Sequence, residues 1–124
     1  MILGTGIDIV EIKRFREIEN LKGIAKKILH TNELKEFNKK AKDQSVYLAK
    51  KFAFKEAFVK ALGTGFREPY YLDRVEIIKD KLGKPSVVTH GEAKEEFKNL
   101  GITKAHVSLS DTKNYVVAFV VLER

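Results

Sequence analysis

An α+β fold follows from three features of the 124-residue sequence: an alternating apolar segment opens it, a long helical pattern fills its first half, and strand signals dominate its second half. The order of one strand, then mostly helices, then mostly strands is an α+β layout. The length gives one domain, residues 1–124, with a real core but little room to enclose a large substrate alone.

The first strand is expected over Ile2 to Ile12. Leu3, Ile7 and Ile9 on one face and Ile2, Val10 and Ile12 on the other predict a strand covered on both faces. Asp8 stands between Ile7 and Ile9. It reads either as a half-buried acid with a function or as an edge acid capping the following helix. Gly4-Thr5-Gly6 starts like a dinucleotide fingerprint, but Ile9 occupies the place of the third glycine.

Lys13 to Asn20 predicts a short helix with Phe15 and Ile18 inward and Arg14 and Arg16 outward, interrupted at Gly23. Ile24, Ile28 and Leu29 form a second apolar set, and Thr31 is expected to cap a helix carrying Leu34 and Phe37. Lys39-Lys40-Ala41-Lys42 reads as a solvated helix end. Asp43, Gln44 and Ser45 start the long helix that follows.

In that helix Leu48, Phe52 and Val59 line one side and Phe54, Phe58 and Ala61 nearly the opposite side, the pattern of a core helix. Glu56 falls in angle beside Ala49, Phe52 and Val59, where an unpaired carboxylate is costly. Two explanations stand: an i, i+4 ion pair with Lys60, or a metal site with a phosphate site beside it. Gly63-Thr64-Gly65 suits a C-cap and turn, and equally the close approach of a phosphate.

Phe66 to Asp73, with Pro69, reads as a loop. Val75, Ile77 and Ile78 form a strand that returns through Lys81-Leu82-Gly83-Lys84-Pro85 into Val87-Val88. Ala93, Phe97 and Leu100 give a helix from Gly91, stopped by Gly101. His106-Val107-Ser108-Leu109-Ser110 alternates as a strand with a polar face, Asp111 to Asn114 turns, and Tyr115 to Leu122 is apolar enough for a central or interface strand.

The net charge of +7 is uneven: 14 basic and 6 acidic residues between Lys13 and Lys60 give that segment +8 and leave −1 for the rest. Such a face attracts anionic partners. No zinc finger or basic loop rich in aromatics is visible, so a non-enzymatic nucleic-acid-binding module is the weaker alternative, distinguishable by its salt dependence. Zero cysteines exclude disulfides and thiolate metal sites, and three dispersed histidines argue against a structural zinc cluster. A carboxylate-bound hard cation remains. No stretch approaches the roughly 20 apolar residues of a membrane span, and the start lacks a basic signal region, which predicts a cytoplasmic protein without membrane contact.

Four segments stand in order: Gly6-Ile7-Asp8-Ile9-Val10-Glu11-Ile12 with Arg14, Phe52-Ala53 with Lys55-Glu56-Ala57, Lys60-Ala61-Leu62-Gly63-Thr64-Gly65, and His106-Val107-Ser108-Leu109-Ser110. With the Gly83-Lys84-Pro85 hairpin, the chain from Met1 to Arg124 closely resembles the holo-acyl-carrier-protein synthases, the short bacterial 4'-phosphopantetheinyl transferases. The resemblance implies a 4'-phosphopantetheinyl transferase-like fold, with an antiparallel sheet packed on a long central helix, in a homotrimer with sites at subunit boundaries. It implies magnesium-dependent transfer of 4'-phosphopantetheine from coenzyme A to a serine of apo acyl carrier protein, releasing adenosine 3',5'-bisphosphate, in fatty acid biosynthesis. Transfer onto another carrier domain is the alternative.

Carried over by motif, Asp8 and Glu56 resemble the magnesium ligands, and Glu56 and Lys60 the catalytic residues. Lys51, Lys55, Lys60, Gly63, Thr64, Gly65, His106 and Ser108 resemble positions that bind coenzyme A. Lys55 either touches substrate or orients Glu56, and the serine proton goes either to Glu56 or to a water held by the metal. Arg14 matches a position facing acyl carrier protein, with Arg16, Lys22, Lys26 and Lys27 enlarging that basic surface. Asp111 departs from a histidine common in the family. Lys51 departs from a common arginine and so lacks a bidentate grip on phosphate.

Overall fold

The computed structural model describes residues 1–68 and 70–124. Its longest helix, α4 (Gln44–Leu62), carries an alanine at every fourth position, Ala49, Ala53, Ala57 and Ala61, all buried. Alanine favours the helix and leaves a ridge with little relief. Gly63 ends α4 in a left-handed cap at φ 76°, its N–H donating to the carbonyls of Val59 and Lys60.

Strand β1 (Ile2–Glu11) lies against that ridge. A β-carbon added at Gly4 would stand 2.0 Å from the carbonyl oxygen of Ala61, and one at Gly6 would stand 1.9 Å from that of Ala57. Only glycine permits so close an approach of strand to helix. Strand β1 pairs antiparallel with β5 (Tyr115–Glu123), which pairs with β4 (Lys104–Asp111), in the order β1-β5-β4.

The register places Gly6 opposite Val120, Asp8 opposite Ala118 and Val10 opposite Val116. These residues alternate onto the face covered by α4, where Val116, Ala118, Val120 and Leu122 are buried. The other face carries Ile7, Ile9, Tyr115 and Phe119, which are 60%, 63%, 46% and 44% exposed. The expectation that β1 is covered on both faces is therefore corrected for the single chain, because α4 covers one side and nothing among the described residues covers the other. The last strand is central, and Ile12 starts a helix instead of ending β1.

Around α4 pack α1 (Ile12–Arg16), α2 (Leu21–Ile28) and α3 (Thr31–Lys39). The first helix stops four residues before its expected end. Asn20 then caps α2 by accepting from the Gly23 N–H at 3.1 Å, so Gly23 lies inside a helix and does not interrupt one. His30, not Thr31, caps α3: its Nδ1 accepts from the Asn32 N–H, and Glu33 accepts from the His30 N–H, closing a capping box. A hairpin of β2 (Val75–Lys79) and β3 (Pro85–Thr89) forms a second sheet, followed by α5 (Glu92–Asn99). The loop expected from Phe66 to Asp73 includes Pro69, outside the described residues, and its far end forms a 3-10 turn at Leu72–Arg74.

Gly6→Ala tests the close approach of β1 to α4. Overpacking there should cost about 3 kcal/mol in urea unfolding, and a loss below about 1 kcal/mol would refute it.

Candidate functional site

Asp8 extends from the covered face of β1 toward α4 with 15% of its side chain exposed. Lys60 Nζ donates to Asp8 Oδ1 at 3.1 Å and to the Ile7 carbonyl at 3.0 Å. The lysine expected to neutralise Glu56 one turn away thus reaches Asp8. Burial, and next the Asp8 charge, push the Glu56 carboxyl above its ordinary pKa, while Lys60 and Arg14 oppose the shift. Two half-buried acids from β1 and α4 therefore lie within electrostatic reach of one another, with one lysine in direct contact. Oxygen donors without sulfur or imidazole fit a hard cation such as magnesium.

Beyond Lys60 the helix ends at Gly63 and Gly65, exposed and at φ 76° and 67°. A β-carbon at either would meet nothing within 4 Å, so the backbone here is open to solvent. Thr64 Oγ1 donates to the Gly65 carbonyl at 3.0 Å.

A cavity of about 610 Å³ opens between α4, the β2–β3 hairpin and the end of β4. Arg16, Lys40, Lys50, Lys51, Lys79 and Lys113 line it against Glu36, Asp43 and Asp111, so cations outnumber acids two to one. Gly83, Pro85 and Ser108 complete the wall. Lys51 Nζ donates to the Ile77 carbonyl at 2.8 Å and stands 5.2 Å from the Tyr47 ring centre. Burial pushes its pKa down. Asp111 pairs with Lys50 at 3.5 Å.

The family model of the 4'-phosphopantetheinyl transferase superfamily matches residues 4–120. The chain belongs to this superfamily. A holo-[acyl-carrier-protein] synthase of Dechloromonas aromatica is 44% identical over 99% of this chain and 98% of its own length. The crystal structure of the holo-[acyl-carrier-protein] synthase from Neisseria meningitidis aligns over all of both chains with TM-score 0.92 and 39% identity. A Bacillus anthracis synthase crystallised in complex with coenzyme A (3',5'-ADP) aligns with TM-score 0.82 and 34% identity, covering 99% of this chain and 97% of that one. The α+β architecture expected for a phosphopantetheinyl transferase, an antiparallel sheet on a long central helix, is the one observed.

Among the residues carried over from the superfamily, the fold brings Asp8, Glu56 and Lys60 together, but it separates others from them. Lys55 is corrected: its side chain is fully buried, and its Nζ donates to Glu33 and to the carbonyls of Ile28 and Leu72. Its partners among the described residues are these three oxygens, which make it half of a buried ion pair. His106 and Ser108 lie on the open sheet face, since Ser108 pairs opposite Phe119 and Phe119 opposite Ile7. His106 Nε2 is 2.8 Å from Glu123 Oε2, which helps hold the Glu123 carboxyl below its usual pKa. Arg14 stands near Glu56, whereas Arg16 lines the cavity, as two residues along α1 place them on opposite sides. Lys22, Lys26 and Lys27 are exposed on α2.

Sequence reasoning missed the cavity cations Lys40, Lys50, Lys79 and Lys113. Lys40 sits in the run read as a solvated helix end, although Lys51 and Ser108, expected to bind coenzyme A, and Arg16, expected to face the carrier, line this same cavity. It also missed Glu33, whose carboxylate accepts from Lys55, the His30 N–H and the Ile77 N–H. Glu33→Ala should lower stability by about 3–5 kcal/mol because it strands a buried ammonium. Urea unfolding at neutral pH checks this, and a loss below about 1 kcal/mol would make Lys55 free for another role.

Proposed function

We propose that this protein transfers the 4'-phosphopantetheine group of coenzyme A to a serine of apo acyl carrier protein, with adenosine 3',5'-bisphosphate as the other product. The observation that carries this reading is the Asp8–Glu56 acid pair with Lys60 beside it, in a chain of this superfamily with a cationic cavity large enough for a nucleotide. Asp8 and Glu56 would hold a magnesium ion, which would supply positive charge to the pyrophosphate. Lys60, with half of its side chain exposed, offers its ammonium to a phosphate oxygen while it neutralises Asp8.

The serine oxygen forms the new bond to phosphorus as the bond to the bridging oxygen breaks, and the nucleotide leaves with that oxygen. The serine proton needs an acceptor. Either Glu56 or a water held by the metal would take it: burial and Asp8 raise the Glu56 pKa, and a cation bound between the two acids would pull it back down. Gly63 and Gly65 leave backbone space for the pantetheine phosphate, and Lys51, Lys50 and Lys79 set the charge of the nucleotide cavity. Arg14 lies next to the acid pair and faces solvent, a place from which it meets an acidic carrier protein. The carrier is that of fatty acid biosynthesis and the reaction is cytoplasmic; no described helix is long and apolar enough to cross a membrane.

The active unit is a homotrimer. His106 lies on the open face of the sheet, while Asp8 lies on the covered face, so a coenzyme A that touches both needs two copies of the chain. Ile7, Ile9, Tyr115 and Phe119 supply the apolar surface for that contact.

Mass spectrometry of apo acyl carrier protein after incubation with this protein, coenzyme A and magnesium should show the added phosphopantetheine, and chelator should abolish it. Asp8→Ala and Glu56→Ala should each reduce turnover by at least about a thousandfold in a folded protein. Normal turnover in either would remove that residue from the site. Sedimentation should give a trimer for the native chain and a smaller, inactive species for Phe119→Lys; a fully active native monomer would refute the shared site.

A further inference from the structure

Two of the three histidines, 60 residues apart in sequence, meet in the fold. The rings of His30 and His90 stack with centres 4.0 Å apart and planes 12° apart. Glu76 of β2 lies against both: its Oε1 is 2.8 Å from His90 Nε2 and 3.6 Å from His30 Nδ1. The carboxylate is buried, with 9% of its side chain exposed, and these two imidazoles are its ion-pair partners among the described residues.

The capping role of His30 assigns its two ring nitrogens. Its Nδ1 accepts from the Asn32 N–H at 3.2 Å, so that nitrogen carries a lone pair and any ring proton sits on Nε2. A lone pair and a carboxylate oxygen consequently converge at 3.6 Å with no hydrogen between them. Asn32 Nδ2 reaches the same oxygen only at 3.4 Å. On the other side of the cluster the His90 Nε2–H donates to the same Glu76 oxygen at 2.8 Å, so an ion that takes Nε2 must move that ring proton to Nδ1.

We infer that His30, Glu76 and His90 form a second metal site, separate from Asp8 and Glu56, that takes a borderline divalent transition ion of the zinc class. Two imidazoles and one carboxylate are the donors such ions select over magnesium. The three ligand atoms lie within 4.8 Å of one another. A tetrahedral zinc shell needs separations of about 3.4 Å, bracketed by the 2.8 and 3.6 Å observed here. Parallel rings cannot aim both lone pairs at one ion, so one ring must turn. His90 is the one free to do so: it follows the end of β3, 35% of its side chain is exposed, and its ring contacts are His30 and Glu76. Binding also draws His30 Nδ1 away from Asn32, which limits affinity. The ion joins the start of α3 to the β2–β3 hairpin, and a water completes its shell.

The test is a calorimetric titration of the full-length protein with Zn2+ in excess Mg2+, alongside nitrogen NMR of the imidazoles. One Zn2+ per chain should bind, shifting ring-nitrogen resonances of His30 and His90 and leaving those of His106 in place. His90→Gln should weaken binding at least tenfold while keeping its fold by circular dichroism and its Mg2+-dependent transfer activity. Asp8→Asn should bind Zn2+ as the native protein does. Unmoved His30 and His90 resonances, native affinity in His90→Gln, or loss of binding in Asp8→Asn would each overturn the site.

Discussion

The close seating of α4 on β1 is the constraint on which the rest depends. Gly4 and Gly6 leave no side chain where the carbonyls of Ala61 and Ala57 come to rest. The alanine ridge keeps the helix side equally low. Because the two backbones nearly touch, a short acid on the strand and a longer one on the helix fall within electrostatic reach, and Lys60 spans from one element to the other. Larger residues at these contacts would move the elements apart and dissolve the site before any catalytic residue changed.

That seating also explains the asymmetry of the sheet. Among the described residues the backing for this sheet comes from the α4 side, and the opposite face keeps Ile7, Ile9, Tyr115 and Phe119 exposed. An apolar patch of this kind calls for a partner. The polar residues His106 and Ser108 of β4 project from the same face.

The buried Lys55–Glu33 pair does a different job from the acid pair. It joins the end of α2, the start of α3, α4 and β2 through hydrogen bonds to four backbone groups. A carboxylate so fully used costs little to bury, and an ammonium with three oxygen partners is likewise satisfied. The KEA segment thus splits by helical angle: Lys55 turns inward to hold the fold, and the next residue, Glu56, turns toward β1 and the site.

Sequence alone determined the segregated α+β order, the core helix, and the two anomalous acids, because periodicity and misplaced charge are local properties of the chain. Asp8 and Glu56 stood out since neither position tolerates an unpartnered carboxylate, and the four motifs in order carried the superfamily. Only the tertiary structure decided which partner each charge takes. Lys60 chose Asp8 over Glu56, Lys55 chose Glu33, and two distant histidines met over Glu76, all through contacts between elements far apart in sequence. The open face of β1 was equally illegible, because an apolar residue covered by its own chain and one awaiting a second copy give the same pattern of letters. Charge pairing and coverage depend on distance in space, and spacing along the chain encodes distance only within a single helix or strand.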